Sequence, residues 1–462
     1  MTTDQPLNTS KSLVPSLIYA ALTTSIVSSL GMLLVPSIAS ELDVSVSAAQ
    51  WMLTVNLLVG AVATPIMGRL SDGRNTKRLL LISLAVILVG SIVAGSAPTF
   101  GVFLVGRALQ GLTYGIVPVT IVLARRHLGG AGRADPAIST LSVTVATGLG
   151  LGYPLTGILA SMLDYRVAFW FAAVFVLTAI VVVWKWVPSD GEAGTSRPFD
   201  TPGAALLSVG LAGLLIAVSQ GSHWGWLSVP TIAAIVIGAA CLVVWAVVEL
   251  RSRDPLINLH VVKTPDVLLA NLTAISLGAS MYMSLSTISI IAQAPESTGY
   301  GLELPLFWAG FVMLPLSVGS LVGNRFVRRL GPGSMTTMLP AGSSLMAASA
   351  LMIWLTNDHL WEILVGMTLF GLGMGSAYAA MPTLIARNVA VFEVGSAVSF
   401  NQVLRTVGGA AGSAIVGSIL AASPGKSGIT ASLAVAAITA TAVCVALVIN
   451  QVRVARKSAH GV

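Results

Sequence analysis

Charged side chains are scarce in this chain of 462 residues, where Asp, Glu, Lys and Arg together make up 9%. Soluble globular domains carry about 25%. Hydrophobic residues account for 55%, which is more apolar surface than a soluble fold of this length buries. The composition therefore excludes a soluble protein and predicts an all-α polytopic protein in a lipid bilayer.

Cysteine and histidine are also rare, and neither forms a cluster. Cys241 and Cys444 lie inside apolar runs, where buried thiols say little about redox compartment. The histidines fall in loops or tails: His127, His223, His260, His359 and His460. The phosphate-binding pattern GxxxxGK[ST] is missing. We therefore expect no metal, no cofactor, no ATP-driven step and no enzymatic activity.

Long apolar runs fill most of the chain, and several match the roughly 20 residues that a helix needs to cross a bilayer. Fourteen are counted, and the first is too long and lacks a cleavage site for a signal peptide. An even number places both termini on one side of the membrane. Their approximate centres are residues 25, 59, 88, 112, 148, 177, 212, 239, 280, 313, 343, 373, 407 and 440.

The distribution of Lys and Arg predicts the orientation, because basic loops favour the cytoplasmic side. With cytoplasmic termini, 20 of the 24 basic residues lie inside, only Arg166 and Lys426 lie outside, and Arg107 and Arg405 lie within the membrane. This asymmetry explains the net charge of +7 without nucleic acid as a partner. We expect a multi-pass, monomeric protein of the cell inner membrane.

Two cytoplasmic stretches divide the runs into six, two and six. The first, 187–203, is rich in Gly, Pro and Ser, and the second is 249–266. The predicted units are therefore 1–187, 188–265 and 266–462. The turn "GRLSDGRNTKR" (68–78) and its counterpart "GNRFVRRLGPG" (323–333) each follow the second run of a six-run unit. Such parallel repeats are typical of transporters whose halves rock about a central site.

The first of these turns carries a recognisable motif: Gly68, Arg69, Leu70, Asp72, Arg74, Lys77 and Arg78. It resembles the G-x-L-a-D-r-x-G-r-k motif between helices 2 and 3 of major facilitator superfamily transporters, with Asn75 at the second Gly. Asn tolerates left-handed backbone geometry, and Asp72 can cap a short helix or pair with Arg69 or Arg74. The resemblance implies a latch between two halves; the alternative is a turn that only fixes topology.

Three further stretches resemble the same family in the same order. They are "LVGRALQGLTYG" (104–115), "GLGLGYPLTG" (148–157) and "LDYRVAFW" (163–170), similar to its motifs in helix 4, helix 5 and the approach to helix 6. With fourteen runs, the chain is most similar to the fourteen-helix drug:proton antiporters. The resemblance implies the major facilitator fold, two six-helix bundles plus two extra central helices, and efflux of small molecules.

Two arginines lie inside predicted spans, where a charged side chain is costly and functional by default. Arg107 is followed at helical spacing by Gln110, Gly111 and Tyr114. Arg405, with Asn401 and Gln402 nearby, is predicted near the cytoplasmic mouth of a cavity. For both, the alternative is an arginine that snorkels to the surface.

Small and polar residues mark three other spans. The fifth carries Gly148, Gly150, Gly152, Pro154 and Gly157, which resemble the family's antiporter-associated motif, although Tyr153 displaces the proline by one position. Hydroxyl stripes run along the ninth and first spans, and Asn56 lies in the second. They line a cavity or serve as ordinary helix contacts. The stripes are Thr273, Ser276, Ser280, Ser284 and Thr287, beside Met281, Tyr282 and Met283, and then Thr24, Ser25, Ser28 and Ser29.

Acidic residues are absent from the interior of every span, since all 17 Asp and Glu fall in loops or at span ends. In the first span Val27 stands roughly where the family has Asp. Proton coupling is therefore left open, and a pathway with Arg107 and Arg405 suits neutral, amphipathic or anionic substrates. Three functions remain: an exporter of such compounds, a facilitator or importer of a polar solute, and a non-transporting receptor or lipid-handling protein.

Overall fold

The computed structural model describes residues 6–30, 34–44, 46–49, 51–128, 131–162, 164–189, 200–252, 254–330 and 335–459. Within these ranges, fourteen helices are long and apolar enough to cross a membrane, and each contains one of the predicted centres. The fourteen-span prediction is confirmed. Several predicted features lie partly or wholly outside the described residues: 190–199 of the linker, 253, 331–333 of the second basic turn, 31–33, Leu163 and His460.

The first six spanning helices form one bundle. They are α1 (Pro6–Ser29), α2 (Trp51–Ser71), α3 (Thr76–Gly95), α4 in two segments (Phe100–Gln110 and Thr113–Leu128), α5 (Ala131–Met162) and α6 (Tyr165–Trp186). α1 packs on α4, α5 and α6, whereas α3 packs on α4 and α6. Short helices Val35–Glu41 and Val46–Ala49 connect α1 to α2.

The last six form the second bundle, after α7 (Thr201–Trp224) and α8 (Val229–Arg251). They are α9 (Pro265–Gln293), α10 in two segments (Leu306–Phe311 and Leu314–Leu330), α11 (Met335–Leu355), α12 (Leu360–Asn388), α13 (Val394–Ala422) and α14 (Lys426–Ala459). α9 packs on α12, α13 and α14, and α12 on α10 and α11.

α4 is interrupted at Gly111 and Leu112, where hydrogen bonds shorten to the i→i+3 type. A Cβ on Gly111 would lie 2.8 Å from the carbonyl oxygen of Asn56 and 2.8 Å from the Cβ of Val59. The glycine thus lets α4 approach the backbone of α2 closely. The break also separates the segment with Arg107 from the segment with Tyr114.

The two bundles meet along two seams, α2 against α13 and α5 against α10 and α12, with α4 also touching α13. At one end the seams carry Arg74, Arg126, Arg328 and Arg387, and we call this the basic end. Arg166, at the start of α6, lies at the opposite end, because the other end of α6 meets Lys77 through the carbonyl of Trp184.

The two additional helices lie beside the first seam. α7 packs on α2, α13 and α8, whereas α8 packs mainly on α7 and is largely exposed. The exposed residues of α8 are apolar, among them Val229, Ile235 and Val243, as expected of a lipid-facing helix. α7 is thus the element that connects the additional pair to both halves.

Candidate functional site

A central cavity lies between the two bundles. Its wall comes from both: Ser25, Ser28, Thr113, Tyr114, Val117 and Val145 on one side, and Met281, Tyr282, Tyr378, Gln402, Arg405 and Thr406 on the other. Its volume is about 30 Å³, about two to three times the minimum that holds one water molecule. The cavity is therefore narrow in this conformation, and Arg405 is the charged residue among those that line it.

Aromatic side chains hold this cavity from both halves. The guanidinium Cζ of Arg405 lies 4.2 Å from the ring centroid of Tyr378, a cation–π contact. Tyr114 packs against Gly60, where a Cβ would lie 2.9 Å from Cγ of the ring. Tyr282 packs against Gly409, where a Cβ would lie 2.7 Å from Cε2 of the ring. Small residues on α2 and α13 therefore seat the two facing tyrosines.

Arg107 lies behind the cavity wall, inside the first bundle, with 1% of its surface exposed. Its Nε donates to the carbonyl of Met52 (3.3 Å) and its Nη1 to Oε1 of Gln110 (2.7 Å). Gln110 in turn donates to Ser91 Oγ at 2.9 Å. Because the side chain is buried, it does not snorkel to the surface. Tyr114, which it was predicted to accompany, remains near enough to interact with its charge, but Tyr114 lines the cavity and Arg107 does not.

Most other predicted pathway residues join helices within one half. Ser280 Oγ donates to the carbonyl of Ala436, and Asn401 Nδ2 donates to Asn271 Oδ1 at 3.0 Å. Ser284 is buried, and Asn56 is buried with neither amide atom hydrogen-bonded. Of the predicted set, the structure brings Tyr114, Tyr282 and Arg405 together at the cavity.

The glycines of α5 place that helix between the two bundles. A Cβ on Gly148 would lie 3.2 Å from the backbone of Ser25, and one on Gly152 would lie 2.9 Å from the Cβ of Ser29, both on α1. Gly150 faces Met313 of α10 instead, and Gly310 of α10 approaches Pro154. Gly157 is buried. The motif thus packs on its own half along one face and on the other half along the opposite face.

The predicted turn closes the basic end, and its central contact is Asp72, which is 3% exposed. Oδ1 accepts from the backbone N–H of Gly395 (2.8 Å) and Oδ2 from that of Ser396 (3.0 Å). Asp72 therefore caps the N-terminus of α13 in the other half, where unpaired N–H groups and the helix dipole favour a carboxylate. The predicted pairing with Arg69 or Arg74 is not among the salt bridges of the described residues, and Arg69 acts on Asp72 only as a nearby positive charge.

The remaining residues of the turn differ in exposure. Leu70, Arg74 and Arg78 are exposed, and Lys77 donates to the carbonyl of Trp184 at 2.9 Å. Gly68 allows close approach, since a Cβ there would lie 2.6 Å from the carbonyl oxygen of Gly395. Asn75 has φ −112°. Its backbone is therefore not left-handed, and tolerance of that geometry does not explain Asn at this position.

Burial raises the pKa of the Asp72 carboxyl from 3.8 to about 7, although the hydrogen bonds from Ser396 and Gly395 and the charge of Arg69 oppose the shift. Desolvation outweighs them because no ion pair to Asp72 lies at contact distance among the described residues. Asp72 is thus an acid that titrates near neutrality at the point where the halves meet.

Three functional candidates at the basic end were not identified from the sequence. Arg126 holds the turn, donating to the carbonyls of Gly73 (2.7 Å) and Asp72 (2.6 Å) and to Thr76 Oγ1. Asp135 of α5 pairs with Arg387 of α12, whose Nε lies 2.9 Å from Oδ2. In the sequence, the feature that could have indicated this pair is Asp135, a single acid that follows a basic loop and begins an apolar run.

Comparison with known proteins agrees with this architecture. Residues 17–413 match the model of the Major Facilitator Superfamily. Puromycin resistance protein pur8 of Streptomyces alboniger is 28% identical over 83% of this chain and 76% of its own length. Multidrug resistance protein Stp of Mycobacterium tuberculosis is 27% identical over 84% and 71%. The human organic anion transporter MFSD10 (TETRAN) superposes with a TM-score of 0.69 over 95% of this chain and 99% of its own at 16% identity, a likeness of fold.

Proposed function

Because the chain belongs to the major facilitator superfamily, we propose that it is a secondary transporter that exports hydrophobic or amphipathic small molecules by alternating access. The observation that carries this proposal is the narrow cavity between two bundles that are tied together at the basic end. The names of its relatives, resistance proteins for puromycin and for multiple drugs, support efflux as the direction.

The topology follows from the charges. We take the basic end as cytoplasmic, with both termini there and the chain in the cell inner membrane. The units 1–187, 188–265 and 266–462 then act as a first bundle, a two-helix insertion and a second bundle. A Cys introduced at Ser458 is expected to resist an impermeant reagent added to intact cells, and external labelling contradicts this orientation.

The chemistry of the cavity favours neutral or anionic amphipathic substrates. Arg405 supplies a fixed positive charge, while Tyr114, Tyr282 and Tyr378 supply aromatic faces and hydroxyls. Arg107 and Gln110 do not line the cavity; they support its wall by holding α4 against α2 and α3. The turn with Asp72 acts as the latch that keeps the basic end closed in this state and releases it in the other.

Flux through purified protein in liposomes tests the function. Puromycin and an anionic amphipathic fluorophore are offered with and without an imposed pH gradient. Movement against the concentration gradient that depends on the pH gradient supports a proton-coupled exporter. Equilibration that ignores the pH gradient indicates a facilitator, and saturable binding without flux indicates a receptor. Arg405→Ala is expected to reduce flux about tenfold by removing the charge and the contact with Tyr378.

A further inference from the structure

Two carboxylates meet at the basic end of the additional helices, away from the cavity and from the latch. Glu249, near the end of α8, is 1% exposed. Its Oε1 accepts a hydrogen bond from Trp245 Nε1 at 2.8 Å, and its Oε2 is buried without a partner. Asp200 caps α7 by accepting from the N–H of Gly203 at 2.9 Å through Oδ1, and its Oδ2 is likewise buried without a partner.

Gly203 shows how close the two carboxylates are. A Cβ at this position would lie 2.8 Å from Cγ of Asp200 and 3.1 Å from Oε1 of Glu249. Both carboxylates therefore border the small space that the missing side chain leaves open. The N–H groups of Leu256 and Ile257 lie near Glu249, but neither completes a hydrogen bond to Oε2.

This arrangement fits a proton better than a metal ion. Two ionised carboxylates repel one another in a buried site, and a proton bound at Glu249, whose Oε2 has no hydrogen-bond partner, removes the repulsion. Divalent cations need several more oxygen ligands, and no group of three His, Cys, Asp or Glu side chains suits a metal within the described ranges. The charged and titratable groups on the neighbouring elements are Arg69 on α2, Arg251 and Asp254 on either side of the α8 end, and His260 and Lys263 on the short helix Leu259–Val262 and its C-cap, which packs on α8. Asp200 is the charge that acts on Glu249.

The pair is mechanically connected to the closed end. Trp245 packs on Phe400 of α13 with ring centroids 6.2 Å apart. The cluster around it includes Leu207 of α7, Ile66 of α2 and Val403 of α13. Phe400 follows Ser396, which Asp72 caps, by one helical turn. A change at Glu249 therefore reaches α13 through the indole to which Glu249 is hydrogen-bonded.

We propose that Glu249 is a proton-binding residue beside Asp200, and that the proton it binds removes the repulsion between the two carboxylates, holds α7 and α8 against α13 and so favours closure of the basic end. The effect on closure deepens the proposed function, whereas the proton site itself does not depend on transport. When the proton leaves, repulsion between the two carboxylates loosens the contact of Trp245 with Phe400.

Infrared difference spectroscopy of the detergent-solubilised full chain measures the proton directly. Between acid and alkaline samples, wild type is expected to lose a larger band of protonated carboxyl than Glu249→Gln. The band that remains in Glu249→Gln is expected to come from Asp72, which also titrates near neutrality, and to be removed by Asp72→Asn. The exposed acid Glu296 provides the matched control Glu296→Gln, which is expected to keep the band. A wild-type spectrum equal to that of Glu249→Gln overturns the proton site. If Glu249→Gln fails to fold, Gly203→Ala replaces it in this test. It keeps both acids, but its Cβ pushes them apart, so the band should shift.

Closure is measured with a Cys at Ser139, which is buried between the halves beside Thr383, in a chain with Cys241 and Cys444 replaced by Ala. Labelling is normalised to the SDS-unfolded chain at each pH. Normalised labelling is expected to rise with pH in wild type, and the rise in Glu249→Gln is expected to be at most about one third as large. Equal rises in the two chains overturn the coupling to closure. If wild type binds Mg²⁺ or Ca²⁺ saturably and Glu249→Gln does not, the site holds a metal ion and not a proton, and the proposal is overturned. Neither measurement involves substrate, so failure here leaves the proposed function standing.

Discussion

Two buried aspartates tie the halves together at the basic end, and they do so by different means. Asp72 binds two backbone N–H groups at the start of α13, whereas Asp135 binds the guanidinium of Arg387 on α12. The first contact uses a helix terminus and leaves the carboxyl poorly compensated, so its pKa rises to about 7. The second pairs full charges. The comparison distinguishes a contact to a helix terminus that responds to pH from an ion pair that joins the α5 seam.

Removal of Arg387 is expected to have the largest effect. Arg387→Ala leaves Asp135 as a buried charge without its partner, a loss of about 3 to 5 kcal/mol in comparable pairs. The Cys at position 139, one helical turn from Asp135, should then react at least about tenfold faster because the basic end opens. Flux should fall as the closed state is lost.

The matched variant for this prediction removes both charges. Asp135→Asn combined with Arg387→Gln replaces the ion pair by neutral groups that can still bond, and we expect it to recover most of the closure. If Arg387→Ala labels at the wild-type rate, the ion pair does not hold the halves together and the comparison with Asp72 fails.

Whether the sequence predicts a feature of this structure depends on how far apart along the chain its parts lie. The spans follow from local hydrophobicity, so all fourteen were found. The turn of Asp72 was found through its motif, but its partner lies more than 300 residues away, and nothing local in "FEVGSAVSF" indicates a capped terminus. Asp135 and Arg387 are single residues at span ends, without periodicity to connect them.

The placement of Arg107 shows a different limit. Its spacing to Gln110, Gly111 and Tyr114 assumes a continuous helix, but α4 breaks at Gly111 and Leu112. The break leaves Arg107 inside the first bundle and Tyr114 at the cavity. Arg405 was predicted near the mouth of a cavity, and it is among the residues that line the central one.

A smaller effect is expected from Asp72→Asn. One amide oxygen can still accept from a backbone N–H, but the amide nitrogen faces the other N–H, and a buried donor left without a partner costs about 1 to 3 kcal/mol. Labelling at position 139 should rise about fivefold or more, and flux should fall while the amount of folded protein stays the same. Unchanged flux at equal expression would show that the turn only fixes topology.

The pH dependence of closure separates the two contacts further. The Asp72 carboxyl has an ordinary pKa near 4 when it is hydrated and about 7 when it is buried, so the closed state binds a proton that the open state releases. Closure is fully supported below about pH 4 and is weakened as pH rises through about 7. Normalised labelling at position 139 should therefore increase over this window in wild type. Asp72→Asn should lack this component, and an identical pH profile in both chains would exclude Asp72 as its source.

The smallest expected effect concerns the residue that positions Asp72. Arg126 donates to the carbonyls of Asp72 and Gly73 and to Thr76 Oγ1, all within the turn. Arg126→Lys keeps the charge but cannot reproduce the planar set of donors, so one or two bonds are lost at about 1 kcal/mol each. Asp72 should then meet α13 less often, and because only part of this loss reaches the contact with α13, labelling should rise about two- to fivefold. Lys77→Arg is the matched control, because it keeps a donor for the carbonyl of Trp184 and should leave labelling unchanged.

A positioning role predicts that Arg126→Lys adds little in the Asp72→Asn background, since there is no carboxylate left to position. A full additional increase in that background would mean that Arg126 closes the basic end by its own contacts.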